Sequence, residues 1–150
     1  MQGAEYIAKI LKDEGIKWLS CFPSNVMIEA LAKEGIQPIA FRHERGAVMA
    51  ADGYARVNDG KNISAVCMQN QAGAENAMGG LAQANADNIP ILVMPGGNPL
   101  NQLFIRPNFS AAYSWANVSR HAEFITSPAE TGNVMRRAIH RLKSSSPGPV

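Results

Sequence analysis

Residues 37–57 read Gln-Pro-Ile-Ala-Phe-Arg-His-Glu-Arg-Gly-Ala-Val-Met-Ala-Ala-Asp-Gly-Tyr-Ala-Arg-Val. The short apolar run 39–41 predicts a buried β-strand. The segment 45–57 is rich in small side chains, and alanine in particular loses little entropy on entering a helix. Glu44 is therefore expected where a strand ends and a helix begins. In an open α/β sheet this junction lies at the carboxyl edge, which is where ligands bind.

The predicted helix over 45–57 has an unusually small polar face. Asp52 is the only charged residue between Arg45 and Arg56, so we expect the helix to be buried on most sides. Glu44 at its root would then be partly dehydrated, and dehydration disfavours the charged form of a carboxyl group. A carboxyl that holds or donates a proton near neutral pH can serve acid–base chemistry. The helix dipole also stabilises acidic residues in any first turn, and position alone favours this ordinary role.

Strands and helices alternate along the chain. Apolar spacing predicts amphipathic helices at about 4–11 and after Pro128, whereas 98–119 has no clear period and is expected to be a long loop with a short helix. The alternation predicts an α/β fold with an open, mostly parallel sheet and helices on both faces, over residues 1–150 as one domain. Further strands are expected at 18–22, 63–68, 89–94 and 124–126, and further helices near 27–31 and at 72–86.

Two features indicate how these elements meet. Gly79 and Gly80 lie in the middle of a predicted helix, where each costs roughly 1 kcal/mol relative to alanine, so a close contact with another helix is expected there. Right-handed crossovers place the carboxyl ends of all parallel strands on one edge. Ser24-Asn25, Glu44 and Asn70-Gln71 should therefore gather where one ligand could meet them, although Ser24 or Asn25 could equally serve only as a helix cap.

Composition limits the classes of function. The net charge of +2 gives no electrostatic case for binding nucleic acid or a membrane surface. The two cysteines, Cys21 and Cys67, fall in predicted strands and lack the spacing of a zinc site or a disulfide scaffold. No basic region followed by an apolar core opens the sequence, and no apolar run could cross a bilayer. A soluble, cytoplasmic protein is expected.

Five motifs follow one another in a characteristic order: Phe22-Pro23-Ser24-Asn25, Arg42-His43-Glu44, Gly53-Tyr54-Ala55-Arg56, Gly73-Ala74-Glu75-Asn76 and the run 86–92. In order and spacing they resemble the pyrimidine-binding, N-terminal domain of thiamine-diphosphate-dependent enzymes, in the acetolactate synthase and 2-oxo-acid decarboxylase group. In that family the glutamate at the place of Glu44 hydrogen-bonds N1′ of the cofactor's aminopyrimidine and promotes its imino tautomer.

The resemblance assigns roles residue by residue. Glu44 would be the catalytic residue, and no residue of this chain would bind a metal. The cofactor thiamine diphosphate would be bound by Glu44, Pro23, Asn70, Gly73 and Asn76, and a small 2-oxo acid substrate by Ser24, Asn25 and Gln71.

Two departures from the family pattern limit what can be transferred. Asn70-Gln71-Ala72-Gly73 replaces the Ser-Gly-Pro-Gly that is frequent in acetolactate synthases, so this loop could face cofactor or substrate or could simply cap a helix. Asn108-Phe109-Ser110 stands near the place where synthases carry Phe-Gln and several decarboxylases a histidine pair. Substrate specificity therefore cannot be carried over.

The metal–phosphate half of the family's site is missing. The family binds Mg²⁺ and the diphosphate through Gly-Asp-Gly followed by Asn-Asn, and this sequence has no Gly-Asp-Gly. Mg²⁺ would therefore be bound by a diphosphate-binding domain outside this chain, across the interface of a homodimer or homotetramer or on a separate subunit. Pro147-Gly148-Pro149-Val150 resembles the lead-in to the domain's last strand, which favours an N-terminal fragment of a longer protein.

Two alternatives remain at this stage. Met68-Gln69-Asn70 is similar to the small α subunits of sulfopyruvate and phosphonopyruvate decarboxylases, so the chain could be the complete α subunit of a two-chain enzyme. It could also be a non-catalytic doubly wound domain that binds only a partner or a nucleotide.

Overall fold

The computed structural model describes residues 2–150. Four strands alternate with helices from the start of the chain, and two helices follow the last strand. The strands are β1 (Trp18–Cys21), β2 (Gln37–Ala40), β3 (Ser64–Met68) and β4 (Ile91–Pro95), and the helices are α1 (Gly3–Asp13), α2 (Met27–Lys33), α3 (Glu44–Val57), α4 (Ala72–Ala86), α5 (Ala111–Ser114) and α6 (Thr131–Leu142).

All four strands are parallel and form one sheet in the order β2-β1-β3-β4. Side chains alternate between the two faces of β3, so Ala65 and Cys67 belong to a core with α1, α2 and α6. Val66 and Met68 belong to a second core with α3 and α4. The predicted α/β fold, with helices on both faces of a parallel sheet, is confirmed.

The predicted burial of the strand that precedes Glu44 is wrong. This strand, β2, pairs only with β1 and lies at the edge of the sheet. Ile39 is consequently 40% exposed, and Gln37 and Ala40 are also exposed. An apolar run indicates a strand but not its place in the strand order, which depends on how the crossovers connect the strands.

The predicted fifth strand at 124–126 is also wrong. This segment has no regular structure, and among residues 2–150 it has no backbone hydrogen bonds to a neighbouring strand. The adjoining edge of β4 pairs only with Val150, whose N–H donates to the Ile91 carbonyl and whose carbonyl accepts from the Val93 N–H. The segment therefore lacks the neighbour that a strand requires.

Helices α3 and α4 pack closely at Gly80, as predicted, whereas Gly79 is exposed and makes no tight contact. A Cβ atom on Gly80 would lie 2.9 Å from Cγ1 of Val48, so only glycine fits this crossing without a shift. The expectation that α3 is buried on most sides is wrong for this chain. The sheet and α4 cover one face only, and Met49 and Val57 on the other face are 48% and 90% exposed.

The long segment 98–119 is a loop interrupted by α5 and short turns of 3₁₀ helix, as predicted. Throughout residues 2–150, every helix is too short or too polar to cross a lipid bilayer.

Candidate active site

Glu44 is the first residue of α3 and is only 4% exposed. The helix begins here because His43 has an extended backbone and its ring Nδ1 accepts a hydrogen bond from the backbone N–H of Arg45 at 3.2 Å. A side-chain acceptor at this position satisfies one of the free N–H groups at a helix start. The predicted strand-to-helix junction at Glu44 is thus confirmed, together with its burial.

The two oxygens of the Glu44 carboxyl have different surroundings. Oε2 accepts a hydrogen bond from Nδ2 of Asn76 at 3.1 Å. Among the described residues, none donates a hydrogen bond to Oε1. The carboxyl is therefore held at one oxygen and is open at the other.

His43 does not share a proton with this carboxyl. Its Nδ1 lies 4.0 Å from Oε2 of Glu44, which is beyond hydrogen-bond distance. The same nitrogen already accepts from the Arg45 N–H, and a ring nitrogen that accepts a hydrogen bond carries no proton. His43 therefore shapes the turn, and Asn76 is the group that orients Glu44.

Gly73, in the first turn of α4, provides the space beside Oε1. A Cβ atom at this position would lie 3.1 Å from Oε1 of Glu44 and 2.9 Å from Cβ of Gln69. A side chain here would therefore fill the open side of the carboxyl and collide with the end of β3. The structure thus brings three predicted site residues into contact: Glu44, Gly73 and Asn76.

The turn from β3 into α4 is strained at Gln71. Its φ of +54° and ψ of −116° form a conformation that residues with a Cβ rarely adopt. Gln71 precedes the first helical residue, so the sharp turn aims its side chain across the carboxyl edge of the sheet. Ser24, after β1, is the other strained residue at this edge, with a φ of +124°.

The predicted residues after β1 divide into two groups. Pro23 and Ser24 are exposed at the end of the strand. Asn25 turns inward, where its Nδ2 donates to the carbonyls of Met68 and Met94 at 2.7 and 3.1 Å. Its Oδ1 accepts from the backbone N–H of Met27 at 2.9 Å, so Asn25 caps α2 and ties it to the ends of β3 and β4.

Four amide side chains connect the edge of the sheet to the long loop, and we call them the amide network: Asn70, Gln71, Asn98 and Asn108. Asn70 Nδ2 donates to Asn98 Oδ1 at 2.7 Å, and Asn98 Nδ2 donates to Asn108 Oδ1 at 2.7 Å. Gln71 Nε2 donates to the same Asn108 oxygen at 3.0 Å. The sequence alone predicts no role for Asn98, and it marks Asn108 only as lying near the place where synthases carry Phe-Gln.

A cavity beside the carboxyl edge of the sheet does not include Glu44 in its lining. It has a volume of about 430 Å³ and lies between β4, the long loop and α6. Its walls are mainly apolar, but Asn25, Asn70 and Gln71 reach it from the sheet edge. Gln71 therefore stands between this cavity and the turn of α4 that borders Glu44.

A family model described as the thiamine pyrophosphate enzyme, N-terminal TPP binding domain, matches residues 1–112. This match spans most of the chain. The chain belongs to the thiamine pyrophosphate enzyme family.

Individual members of the thiamine pyrophosphate enzyme family align along the whole chain. It is 32% identical to the probable acetolactate synthase large subunit of Methanocaldococcus jannaschii, covering 100% of this chain and 26% of that protein. It is 31% identical to the acetolactate synthase isozyme 2 large subunit of Escherichia coli, covering 100% of this chain and 28% of that protein. The chain thus spans about a quarter of the length of these curated relatives.

The space beside Oε1 of Glu44, bordered by Gly73, fits the aminopyrimidine that the thiamine pyrophosphate enzyme family binds, and we call it the Glu44 pocket. A nearly buried carboxyl with one open oxygen can pair with a ring nitrogen that carries a proton, and the missing side chain of Gly73 leaves space beside that oxygen. Across residues 2–150, no three His, Cys, Asp or Glu side chains cluster so that they could hold a metal ion.

Proposed function

We propose that this chain is the pyrimidine-binding half of an acetolactate-synthase-like enzyme that decarboxylates a 2-oxo acid and transfers the remaining fragment. The observation that carries the proposal is the Glu44 carboxyl, which is 4% exposed, held by Asn76 at Oε2 and open at Oε1 beside Gly73. When bound, the cofactor would supply a carbon nucleophile for the keto carbon of the 2-oxo acid and an acceptor for the electron pair left by the loss of CO₂.

Glu44 would control the position of one proton, between its own carboxyl group and the pyrimidine ring of the cofactor. Its open Oε1 would share a proton with the pyrimidine N1′. When that proton passes to the ring nitrogen, the Glu44 carboxylate would accept a hydrogen bond from it, and the amino group of the ring could then lose a proton and act as a base. Burial helps because a hydrogen bond between a carboxyl and a heterocycle is stronger where water does not compete. Asn76 keeps the carboxyl at one angle, so that the proton stays in line with the ring nitrogen.

The neighbouring predicted residues complete the proposed site. Gly73 leaves space for the ring, and Asn70 and Pro23 would border the cofactor from the ends of β3 and β1. Ser24, exposed at the tip of β1, and Gln71 would lie on the side of the 2-oxo acid. Because its amide is already bonded to the ends of β3 and β4, Asn25 would act on the substrate by fixing the position of Ser24.

The diphosphate and Mg²⁺ would be bound by a second domain, on the same polypeptide or on another subunit. The outward face of α3 is suited to receive it, because it carries small or apolar side chains such as exposed Met49 and Gly53. Small side chains allow close approach of another backbone. A homodimer or homotetramer, in which each pyrimidine half meets a diphosphate half of a partner, would satisfy this arrangement.

The test is an activity assay of the chain together with a diphosphate-binding half, thiamine diphosphate and Mg²⁺, with pyruvate as the probe substrate. Glu44→Gln removes the proton that a carboxyl can hold but keeps the shape, and should lower kcat by about 10²- to 10⁴-fold. Glu75→Gln is the matched control, because Glu75 is exposed on α4 and should keep full activity. The chain without its diphosphate half should be inactive.

Full activity of Glu44→Gln would overturn the proposed function. Loss of activity in both variants would point to a general disturbance of α4 and would also contradict a specific role for Glu44. The two alternatives differ in further measurements. A two-chain decarboxylase would release the aldehyde or its analogue without joining it to a second carbonyl, and a non-catalytic domain would show no thiamine dependence.

A further inference from the structure

The strained turn at Gln71 has no explanation in the Glu44 pocket itself. Glycine adopts a φ of +54° and ψ of −116° at little cost, and the Ser-Gly-Pro-Gly motif that this chain's Asn-Gln-Ala-Gly replaces has glycine at this position. A non-glycine residue keeps such a conformation only when its surroundings hold it there. The side chain of Gln71 must therefore make contacts that offset the strain.

Those contacts all go to the long loop. Gln71 Oε1 accepts a hydrogen bond from the backbone N–H of Phe109 at 2.8 Å, and its Nε2 donates to Oδ1 of Asn108 at 3.0 Å. Asn108 also donates to the carbonyl of Leu103, which closes the loop on itself. One side chain at the start of α4 thus fixes both the backbone and the tip of the segment 98–110.

The same residue borders the Glu44 pocket through the main chain. Gln71 is two residues before Gly73, whose α-carbon faces Oε1 of Glu44, and the Glu75 N–H donates to the Gln71 carbonyl at 3.0 Å. A shift of the Gln71 backbone would therefore move the turn that shapes the open side of the carboxyl. Gln71 thus links the long loop to the turn beside Glu44, alongside the hydrogen bond from Asn70 to Asn98.

We propose that Gln71 is a positioning residue that fixes the segment 98–110 as a wall of the 2-oxo acid site. This inference rests on the proposed function. Gln71 acts through Asn108 and Phe109, and its amide side chain adds no charge of its own to the wall.

The hydrogen bond between Phe109 and Gln71 can be tested without measuring enzyme activity. The Phe109 N–H is bonded to Gln71 Oε1, so Gln71→Ala should speed hydrogen exchange of this amide by about tenfold or more. Gln71→Glu keeps an acceptor for Phe109 and should preserve much of the protection. Gln71→Gly also removes the side chain that bonds Phe109. Because glycine adopts the positive φ of this turn without strain, this variant should fold even if Gln71→Ala does not. Gln83→Ala, at an exposed position of the same helix, should leave the exchange unchanged.

The consequence for the substrate is tested in the assembled enzyme with pyruvate. Gln71→Gly and Asn108→Ala should each raise KM about tenfold and leave kcat within about twofold, because the wall contributes to substrate binding rather than to proton transfer. Gln71→Glu should fall between these variants and the native chain. A merely structural role would lower the folded fraction and the measured kcat without changing KM.

The outcomes separate this inference from the proposed function. If Glu44→Gln abolishes activity while Gln71→Gly and Asn108→Ala leave KM unchanged, the inference is wrong and the proposed function stands. If Phe109 exchanges at the native rate in Gln71→Gly, Gln71 is not the anchor and the inference is also wrong. If Glu44→Gln is fully active, the proposed function fails first.

Discussion

Asn76 Nδ2 donates a hydrogen bond to Oε2 of Glu44 over 3.1 Å, although the two residues are 32 positions apart in the chain. The bond joins the first turn of α3 to the first turns of α4. It exists because the packing of the two helices brings their N-terminal ends together at the carboxyl edge of the sheet. One oxygen of the carboxyl is thereby fixed, and the other faces the space left by Gly73.

Removing the amide of Asn76 should weaken catalysis without abolishing it. Asn76→Ala releases Oε2, so the carboxyl can rotate, and the loss of one hydrogen bond to a charged or proton-bearing group should lower kcat by about tenfold. Steady-state kinetics of the assembled enzyme measures this. Gln83→Ala on the same helix is the control and should retain native kcat; an unchanged kcat in Asn76→Ala would show that Glu44 is oriented by something else.

The helix crossing can be tested through stability. Gly80→Ala places a Cβ atom 2.9 Å from Val48 Cγ1, and overpacking of this kind costs about 1–3 kcal/mol of unfolding free energy, partly offset by the better helix propensity of alanine. Gly79→Ala meets only Arg45 Cδ at 3.7 Å and should raise the unfolding free energy by up to about 1 kcal/mol. Urea denaturation distinguishes them, and equal effects would contradict the close crossing.

The strand-to-helix junction at Glu44 is predictable from the sequence because the residues on either side of it are enough to identify both elements. An apolar run followed by small helix-forming residues indicates a strand and then a helix, whichever partners they later find. The same is true of Gly79-Gly80, whose cost inside a helix signals a close contact. The strand at 124–126 was mispredicted because a strand also needs a neighbour, which composition does not reveal. The exposure of Ile39 depends on strand order in the same way.

Local sequence patterns also cannot predict the amide network, because its members are far apart in the chain. Gln71 and Asn108 are 37 residues apart, and the loop that carries Asn108 has no periodicity from which its path could be inferred. The only local signal was the glutamine at a position where the resembled motif has glycine. That departure indicates strain, but it does not say which contact offsets the strain.

Acid should weaken the attachment of the segment before α6. The Arg137 guanidinium, bonded to the Glu123 carboxyl, holds the pKa of that carboxyl below its ordinary value of 4.5. The pair therefore contributes stability that is present above pH 4.5 and is lost as the pH falls through the lower pKa of the folded state. Urea midpoints measured from pH 7 to pH 3 should decline less steeply for Arg137→Gln. Lys9→Gln, at an exposed position of α1, is the control and should follow the native curve. If Arg137→Gln also follows the native curve, the pair with Glu123 contributes nothing to stability.

The rate at which the two cysteine thiols are alkylated should report unfolding of the chain. Burial raises the pKa of the Cys67 thiol to about 12, so at pH 8 only a fraction on the order of 10⁻⁴ is thiolate in the folded chain. Burial also raises the pKa of Cys21. Iodoacetamide should therefore label both residues only as fast as the chain unfolds, and labelling should accelerate with urea. Rapid alkylation without denaturant would contradict the packing of β1 against β3.

Proton exchange at the reactive thiazolium carbon of bound thiamine diphosphate tests the role of Glu44 most directly, because it needs no substrate. In the assembled enzyme with the cofactor bound, quenched-flow exchange into deuterated water followed by NMR should show that Glu44→Gln slows the exchange by about 10²-fold or more. Glu75→Gln should exchange at the native rate. If the cofactor binds to Glu44→Gln and its proton exchanges as fast as in the native enzyme, Glu44 does not activate the aminopyrimidine.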